Sequence, residues 1–195
     1  MIIVIDYDAG NKASVRNALG RMNVSYEFTA DPKVISRADK VILPGVGDAA
    51  KVMESIRQKE LADVITDLRC PVLGICVGMQ IMCRESEENN AQCLGIFDSH
   101  VRRFDPINQD KVPHMGWNTL SNMESRLFKD LTEGEYVYYV HSYRADLCPD
   151  TIATTFYCGS LFSAALKYEN FYGTQFHPEK SGSTGEKILR NFLEL

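Results

Sequence analysis

Cys76 is the residue whose surroundings most clearly indicate chemistry. It stands at the centre of Gly74-Ile75-Cys76-Val77-Gly78, after a short apolar run and before a helical pattern. Glycines two residues before and after a nucleophile mark a nucleophile elbow, because this tight strand-to-helix turn leaves no room for side chains there. At a helix start, the dipole and the unpaired N–H groups favour a thiolate. The pattern predicts a cysteine nucleophile, and a buried packing cysteine is the alternative.

His177, followed by Pro178 and Glu179, could supply the base that this nucleophile needs. In an extended chain residues i and i+2 face the same way, so the imidazole and the carboxylate can hydrogen-bond while the proline stiffens the bend. The carboxylate would fix the ring tautomer and stabilise the imidazolium. A solvated histidine at a strand end is the alternative. The two patterns together predict a triad of Cys76, His177 and Glu179.

The elements that must position these residues follow an α/β pattern. Short apolar runs alternate with helical patterns in the first half, which is typical of βαβ units and a parallel sheet covered on both faces. We predict strands at residues 1–6, 25–29, 40–43 and 72–75, and helices at 11–22 and 48–68, capped by Asn11 and Asp48.

From about residue 95 the pattern becomes β-rich, and a last helix is predicted at residues 183–193. Strands are predicted at residues 100–104, 136–140, 151–156, 162–168 and 171–175. No repeat or linker divides the chain. We therefore expect one three-layer α/β domain over residues 1–195, with an open, mixed and mostly parallel sheet.

The composition of the chain argues against several classes of binding partner and ligand. The 195 residues carry 21 basic and 26 acidic side chains, a net charge of −5, without a block of like charge. Nucleic acid and membranes are therefore not expected as partners. No two of the four histidines stand at ligand spacing on one element, so no metal site is predicted, and the predicted chemistry needs no cofactor.

The chain start and the cysteines predict a cytoplasmic protein. The opening MIIVIDYDAGN has no basic leader and fits a buried first strand rather than a signal peptide. No apolar run approaches the roughly 20 residues of a membrane span. Six cysteines at irregular spacings, none in C-x-x-C, favour reduced thiols.

The motifs around Cys76 and His177 resemble those of the class I (triad) glutamine amidotransferases, over essentially the whole chain. Further segments resemble the glutaminase subunits of imidazole glycerol phosphate synthases, from histidine biosynthesis. These segments are Asp6-Tyr7, Gly10-Asn11, Leu43-Pro44-Gly45-Val46-Gly47, Pro113-His114-Met115-Gly116-Trp117-Asn118, His141-Ser142-Tyr143 and Glu179-Lys180-Ser181.

The resemblance implies that Cys76 attacks the side-chain amide of glutamine and that His177 passes a proton to the leaving ammonia. Water then hydrolyses the γ-glutamyl thioester. Residues implied to bind the oxyanion or the substrate are Gly45, Val46, Gly47, Val77, Gln80, Glu88, Ser142 and Tyr143. The oxyanion donors would be the Val77 N–H and the peptide around Gly45 to Gly47. Glu88 would pair with the α-ammonium of glutamine. A polar surface role is the alternative for Gln80, Glu88, Ser142 and Tyr143.

The resemblance also implies a partner that uses the ammonia, namely the (βα)₈-barrel cyclase subunit of the synthase, in a heterodimer. Residues implied to lie at or near that interface are His114, Met115, Trp117 and Lys180. Trp117 in a predicted loop suggests an interface anchor, with a core aromatic as the alternative. The family commonly has a glycine after Asp-Tyr where this chain has Asp8-Ala9, which weakens residue-level inference about docking there.

Three other functions remain open from the sequence. A glutaminase of the same class could serve another synthase, for example in surface-sugar amination. A noncatalytic binding module could keep the fold, although the intact Cys76, His177 and Glu179 argue against that. A cysteine peptidase on the same fold would act on peptides without a partner.

Overall fold

The computed structural model describes residues 1–7, 12–45, 47–106 and 110–195. Their strands, in chain order, are β1 (Ile2–Ile5), β2 (Tyr26–Thr29), β3 (Lys40–Leu43), β4 (Val72–Ile75), β5 (Glu85–Ser86), β6 (Ala91–Gln92), β7 (His100–Arg103), β8 (His114–Thr119), β9 (Tyr136–His141), β10 (Tyr143–Ala145), β11 (Thr151–Tyr157), β12 (Ser160–Tyr168) and β13 (Phe171–Thr174). The α-helices are α1 (Lys12–Arg21), α2 (Pro32–Ile35), α3 (Ala49–Gln58), α4 (Ala62–Thr66), α5 (Val77–Gln80) and α6 (Gly182–Leu193). Short 3₁₀ turns occupy Glu88–Asn90, Arg126–Phe128 and Pro178–Lys180.

A seven-stranded sheet in the order β11-β12-β13-β4-β3-β1-β2 organises the domain. The five strands from β13 to β2 run parallel, and β12 and β11 continue the sheet antiparallel. Every residue of β1, β4 and β13 is buried, because helices and loops cover both faces of the sheet. The predicted class, a single α/β domain with a mixed and mostly parallel sheet, is confirmed.

Two small sheets flank the main one. The first has the strand order β10-β7-β5-β6, and the second is the antiparallel pair β8 and β9. In that pair Met115 faces Val140, Trp117 faces Tyr138 and Thr119 faces Tyr136. The prediction of a loop around Trp117 was therefore wrong, since this residue lies in the middle of β8.

The predicted helix over residues 48–68 is two helices. Helix α3 begins after Asp48, whose carboxylate accepts hydrogen bonds from the Ala50 and Lys51 N–H groups, as its predicted capping role requires. It ends because Glu60 adopts a positive φ of 55°. The Leu61 N–H then bonds to the Ile56 carbonyl in a Schellman-type ending, and Leu61 is buried.

Other expectations differ in detail. The helix after Cys76 is a single turn that ends at Gln80, and Cys83, just beyond it, is buried. Helix α2, which begins with Pro32, was not predicted. The predicted cap Asn11 lies outside the described residues.

Candidate active site

Strand β4 delivers Cys76 into a strained turn at the carboxyl edge of the sheet. Cys76 has φ 53° and ψ −109°, a conformation that L residues rarely adopt. Its N–H donates to the Thr174 carbonyl of the neighbouring strand at 2.7 Å, and helix α5 begins at the next residue. A side chain at Gly78 would collide with the Leu43 carbonyl oxygen. The predicted elbow is therefore the observed local geometry.

The His177 ring is held by Glu179. Nδ1 of His177 lies 2.8 Å from Oε1 of Glu179, and both side chains are almost completely buried. Nε2 is buried and makes no hydrogen bond of normal geometry within the described residues. Burial by itself lowers the pKa of His177, but the charges of Cys76 and Glu179 outweigh it and raise that pKa to about 10. The structure brings the three predicted triad residues together.

A closed set of hydrogen bonds fixes the His177 turn against β9. The His177 N–H donates to the Tyr138 carbonyl at 2.9 Å, and the Tyr138 N–H donates to Oγ of Ser181 at 2.9 Å. The Ser181 hydroxyl donates back to the His177 carbonyl at 2.6 Å. The orientation of the base is therefore tied to the strand that pairs with β8.

Cys76 opens into a cleft of about 270 Å³. Its lining residues are Gly47, Cys76, Val77, Gln80, Glu88, Pro113, Val140, His141, Ser142 and Tyr143. Six of the predicted oxyanion and substrate residues are thus in one cleft with the sulfur. Of the other two, Gly45 packs on the start of α5, where a side chain would meet the Val77 and Gly78 N–H groups, and Val46 lies outside the described residues.

The start of α5 offers a donor beside the sulfur. The N–H of Val77, as the first residue of the helix, has no partner within it. Gly47 has φ 116°, which only glycine adopts without strain, and it also lines the cleft.

Two buried amides connect Cys76 to the far wall of the cleft. Nε2 of Gln175 donates to the Cys76 sulfur at 3.7 Å, and its Oε1 accepts from Nε2 of Gln80 at 2.9 Å. Nε2 of Gln80 also donates to the Tyr143 carbonyl at 2.8 Å. Gln175 was missed in the sequence. It lies in the bend that follows β13, and its partners Gln80 and Cys76 come from a distant part of the chain, so no local pattern marked it.

Glu88 lies at the rim of the cleft, half-buried. Its carboxylate accepts a hydrogen bond from the Ala49 N–H at 2.8 Å. Burial raises the pKa of this carboxyl, the Ala49 bond opposes that, and Asp48 adds to it. Because one oxygen is directed at α3, the other is available for a cation entering the cleft.

The four residues predicted at a partner interface differ in how far their side chains are exposed. Met115 and Trp117 are 63% and 55% exposed on the outer face of β8, and Tyr136 of β9 is 59% exposed beside them. Lys180 is half-buried in the turn after His177. The side chain of His114 points inward and is only 3% exposed, stacked between Tyr139 and Tyr157.

All six cysteines are free thiols. In the described part of the chain, no group of three or more His, Cys, Asp or Glu side chains could hold a metal ion. None of the helices in the described ranges is both long and apolar enough to cross a membrane.

The chain resembles known proteins along its whole length. The family described as "Glutamine amidotransferase class-I" matches residues 3–195. The imidazole glycerol phosphate synthase subunit HisH of Bacteroides thetaiotaomicron is 53% identical over 195 residues, which cover 100% of this chain and 99% of that protein. The subunit HisH of Bacteroides fragilis is 54% identical with the same coverage.

Among solved structures, a putative GMP synthase subunit from Thermoplasma acidophilum superposes with a TM-score of 0.76 at 23% identity, covering 99% of this chain and 92% of that one. That likeness concerns the fold alone. The family match over nearly the whole chain and the identity to the HisH proteins concern the sequence itself. The chain belongs to the class I glutamine amidotransferase family and, within it, to the imidazole glycerol phosphate synthase subunits HisH.

Proposed function

We propose that this chain is the glutaminase subunit of an imidazole glycerol phosphate synthase, which hydrolyses glutamine and passes ammonia to a cyclase subunit in histidine biosynthesis. The observation that carries the chemistry is Cys76 on a strained elbow beside the buried His177 and Glu179 pair. The full-length identity to HisH proteins supports the pathway. Such an enzyme of histidine biosynthesis works in the cytoplasm.

Cys76 attacks the amide carbon of glutamine, and His177 carries the proton. An imidazole with a pKa of about 10 is protonated at neutral pH, so it holds the proton that the departing ammonia must receive. Expulsion of ammonia leaves a γ-glutamyl thioester on Cys76. His177, now neutral, takes a proton from water as the water attacks the thioester, and glutamate is released.

The tetrahedral intermediate needs donors for its oxyanion. The Val77 N–H is one, because its position at the start of α5 leaves it unpaired inside the helix. The peptide from Gly45 to Gly47 supplies a second donor from the end of β3, with Val46 between the two glycines. The positive φ of Gly47 fits a peptide that can change orientation when the partner is activated.

Glutamine lies in the cleft with its amino acid end at Glu88. The half-buried carboxylate of Glu88 pairs with the α-ammonium, and Ser142 and Tyr143 contact the substrate from the facing wall. The amide nitrogen of Gln80 is already bonded to Tyr143 and Gln175, so Gln80 offers its oxygen to the substrate.

The partner covers the outer face of β8 and β9. Met115, Trp117 and Tyr136 form an exposed apolar surface there, and Val140 connects it to the cleft, since its carbonyl lies 3.9 Å from the Cys76 sulfur. Lys180 lies in the turn after His177, next to Ser181, whose hydroxyl accepts from the Tyr138 N–H of β9. A (βα)₈-barrel cyclase docked on this outer face, as a heterodimer, would receive ammonia without exposure to bulk water.

Glutamate production by the purified chain tests this function, measured alone and after addition of a histidine-pathway cyclase and its nucleotide substrate. We expect strong stimulation that requires both, and none with Cys76→Ala. Failure of the cyclase to stimulate would reject the pathway, whereas activity with the cyclase of a different synthase would reassign it.

A chloroketone analogue of glutamine tests the nucleophile. It should modify Cys76 covalently, as read by peptide mass spectrometry, and should leave Cys76→Ala unmodified. Modification at another cysteine instead would refute the elbow as the reactive site.

A further inference from the structure

Two buried histidines, His114 of β8 and His141 of β9, face each other between the exposed surface and the cleft. Nδ1 of His114 lies 3.1 Å from Nε2 of His141. Nδ1 of His141 lies 2.7 Å from the Tyr143 carbonyl, and Nε2 of His114 lies 3.3 Å from Nδ2 of Asn118. The proposed mechanism uses neither ring.

The donor and the acceptor of each hydrogen bond in this series follow from Asn118, the residue at its outer end. Nδ2 of Asn118 also faces the Phe156 carbonyl at 3.1 Å, and its Oδ1 accepts the Thr119 N–H, so Nδ2 is a donor. Nε2 of His114 must therefore accept, which places the proton of the neutral ring on Nδ1. That proton is donated to Nε2 of His141.

The inner end gives the same assignment independently. The Tyr143 carbonyl can only accept, so Nδ1 of His141 carries the proton and Nε2 accepts. Burial lowers the pKa of His114 to about 4 and that of His141 to about 3, so both rings are neutral at pH 7. One tautomer of each ring therefore satisfies all of these hydrogen bonds.

From Tyr143 the chain continues to the nucleophile. The same carbonyl accepts from Gln80, Gln80 donates to Gln175, and Gln175 donates to the Cys76 sulfur at 3.7 Å. The link from Gln80 to Gln175 is between side chains that are at most 2% exposed. A continuous hydrogen-bond chain thus runs from Asn118, one residue after the exposed Trp117, to the sulfur.

The surroundings of the two rings exclude competing partners. His114 stacks between Tyr139, at 4.6 Å between ring centres, and Tyr157, at 3.8 Å. Phe104 and Phe162 pack against His141. In a largely apolar enclosure each ring nitrogen depends on its bonded neighbour, because an unpaired buried nitrogen costs free energy.

We propose that Asn118, His114 and His141 are positioning residues, whose single-tautomer hydrogen-bond chain holds the Tyr143 carbonyl, Gln80 and Gln175 in register with the Cys76 sulfur. A displacement of β8 is thereby transmitted to the nucleophile. The role of these residues in glutamine hydrolysis rests on the proposed function. The hydrogen-bond chain itself can be tested without glutamine or a partner.

The tautomers are tested first, by long-range ¹H–¹⁵N spectra of the full chain labelled at histidine, at pH 7. His114 and His141 should both be neutral with the proton on Nδ1, and their signals are assigned from the single variants His114→Phe and His141→Phe. A proton on Nε2 of either ring would overturn the proposal.

Transmission to Cys76 is tested with His114→Phe, which keeps the aromatic stack and removes the link to His141. The control is Tyr157→Phe, which removes a polar atom from the same stack, where its hydroxyl donates to the Lys111 carbonyl, and leaves the chain intact. Site-resolved mass spectrometry gives the rate of Cys76 alkylation by iodoacetamide. We expect a change of roughly fivefold for His114→Phe, as for loss of one hydrogen bond, and no change for the control.

Asn118→Ala breaks the chain at its outer end and should change the alkylation rate in the same direction, so the test survives if His114→Phe does not fold. Equal alkylation rates in Asn118→Ala, Tyr157→Phe and the unmodified sequence would refute transmission. In the active complex, His114→Phe should also lower kcat for glutamine. A general loss of stability would instead reduce the fraction of active protein, and the Cys76 alkylation rate of the folded protein would not change.

Discussion

Nδ1 of His177 and Oε1 of Glu179 lie 2.8 Å apart across a single proline. Pro178 begins a 3₁₀ turn, which turns the chain so that Glu179 comes back under the ring. Because both side chains are buried, the carboxylate has little water to compete with the imidazole. The pair therefore acts as one unit whose charge and orientation depend on both members.

Removal of that charge is the first prediction. Glu179→Gln keeps the shape of the side chain but no longer stabilises the imidazolium, so kcat for glutamine in the complex should fall by about 10² to 10⁴, with a much smaller effect on KM. Glu186→Gln is the matched control, since Glu186 forms an exposed pair with Arg190 on α6. A variant with kcat within twofold of the unmodified enzyme would contradict the role of Glu179.

The glycine requirement of the elbow can be measured as stability. At Gly78 a methyl group would collide with the Leu43 carbonyl oxygen, so Gly78→Ala should lower the free energy of unfolding by about 3 kcal/mol or prevent folding. Gly20→Ala, in α1, meets no atom within 4 Å and should raise it by up to about 1 kcal/mol. Urea titration of both variants gives the comparison, and equal effects would contradict the close approach.

The buried histidines predict a stability that falls in mild acid. The pKa values of His114 and His141, about 4 and about 3, lie below the value of about 6.5 in the unfolded chain. The unfolded state therefore binds protons that the folded state does not, and each ring should cost about 1 to 2 kcal/mol of stability by pH 5. His177 acts oppositely, because its raised pKa gives a contribution that is complete below about pH 6.5 and is lost as the pH rises through about 10.

Urea titrations at pH 5, 6 and 7 measure this dependence. His114→Phe should flatten it between pH 7 and pH 5, although the variant is less stable at pH 7. Leu161→Ala, at an exposed side chain that carries no titratable group, should leave the slope unchanged. An unchanged slope in His114→Phe would show that His114 is not buried in its neutral form.

If the cyclase binds the outer face of β8 and β9, substitution of an exposed aromatic residue there should weaken its affinity. Trp117→Ala should raise the Kd for the cyclase by roughly 10- to 100-fold, because a buried tryptophan anchor is worth about 2 kcal/mol or more at an interface. Tyr168→Ala is the control, since Tyr168 is also about half exposed but pairs with Phe171 at the opposite end of β13 from the cleft. Calorimetric titration measures both, and equal affinities would place the interface elsewhere.

The parts of the site that sequence reasoning predicted correctly depend on local geometry. An elbow follows from glycines within two residues of Cys76. The contact between His177 and Glu179 was predicted for an extended chain, whereas the 3₁₀ turn that begins at Pro178 is what brings the carboxylate to the ring. Gln175 and His141 depend on contacts with Gln80, Cys76 and His114 from distant parts of the chain, which no local pattern specifies.

Two features of the fold, strand β8 and the break after α3, were not predicted from the sequence, and each has an identifiable reason. Strand β8 alternates in the reverse of the usual sense, because the apolar Met115 and Trp117 are exposed while the polar His114 points inward. The break after α3 occurs at Glu60, a residue that usually continues a helix, whereas glycine is the usual signal for this ending. In both cases tertiary contacts, rather than local preference, decide the structure.

Successive residues of strand β9 alternate between the outer face and the interior. Tyr136, Tyr138 and Val140 face outward, while Val137, Tyr139 and His141 are buried. A shift of one residue in its pairing with β8 would exchange the two sets completely. An insertion or deletion of one residue within β9 would therefore turn Tyr136, Tyr138 and Val140 inward and His141 outward in a single mutational step, so the exposed face and the wall of the cleft can change separately only by substitution at a fixed register.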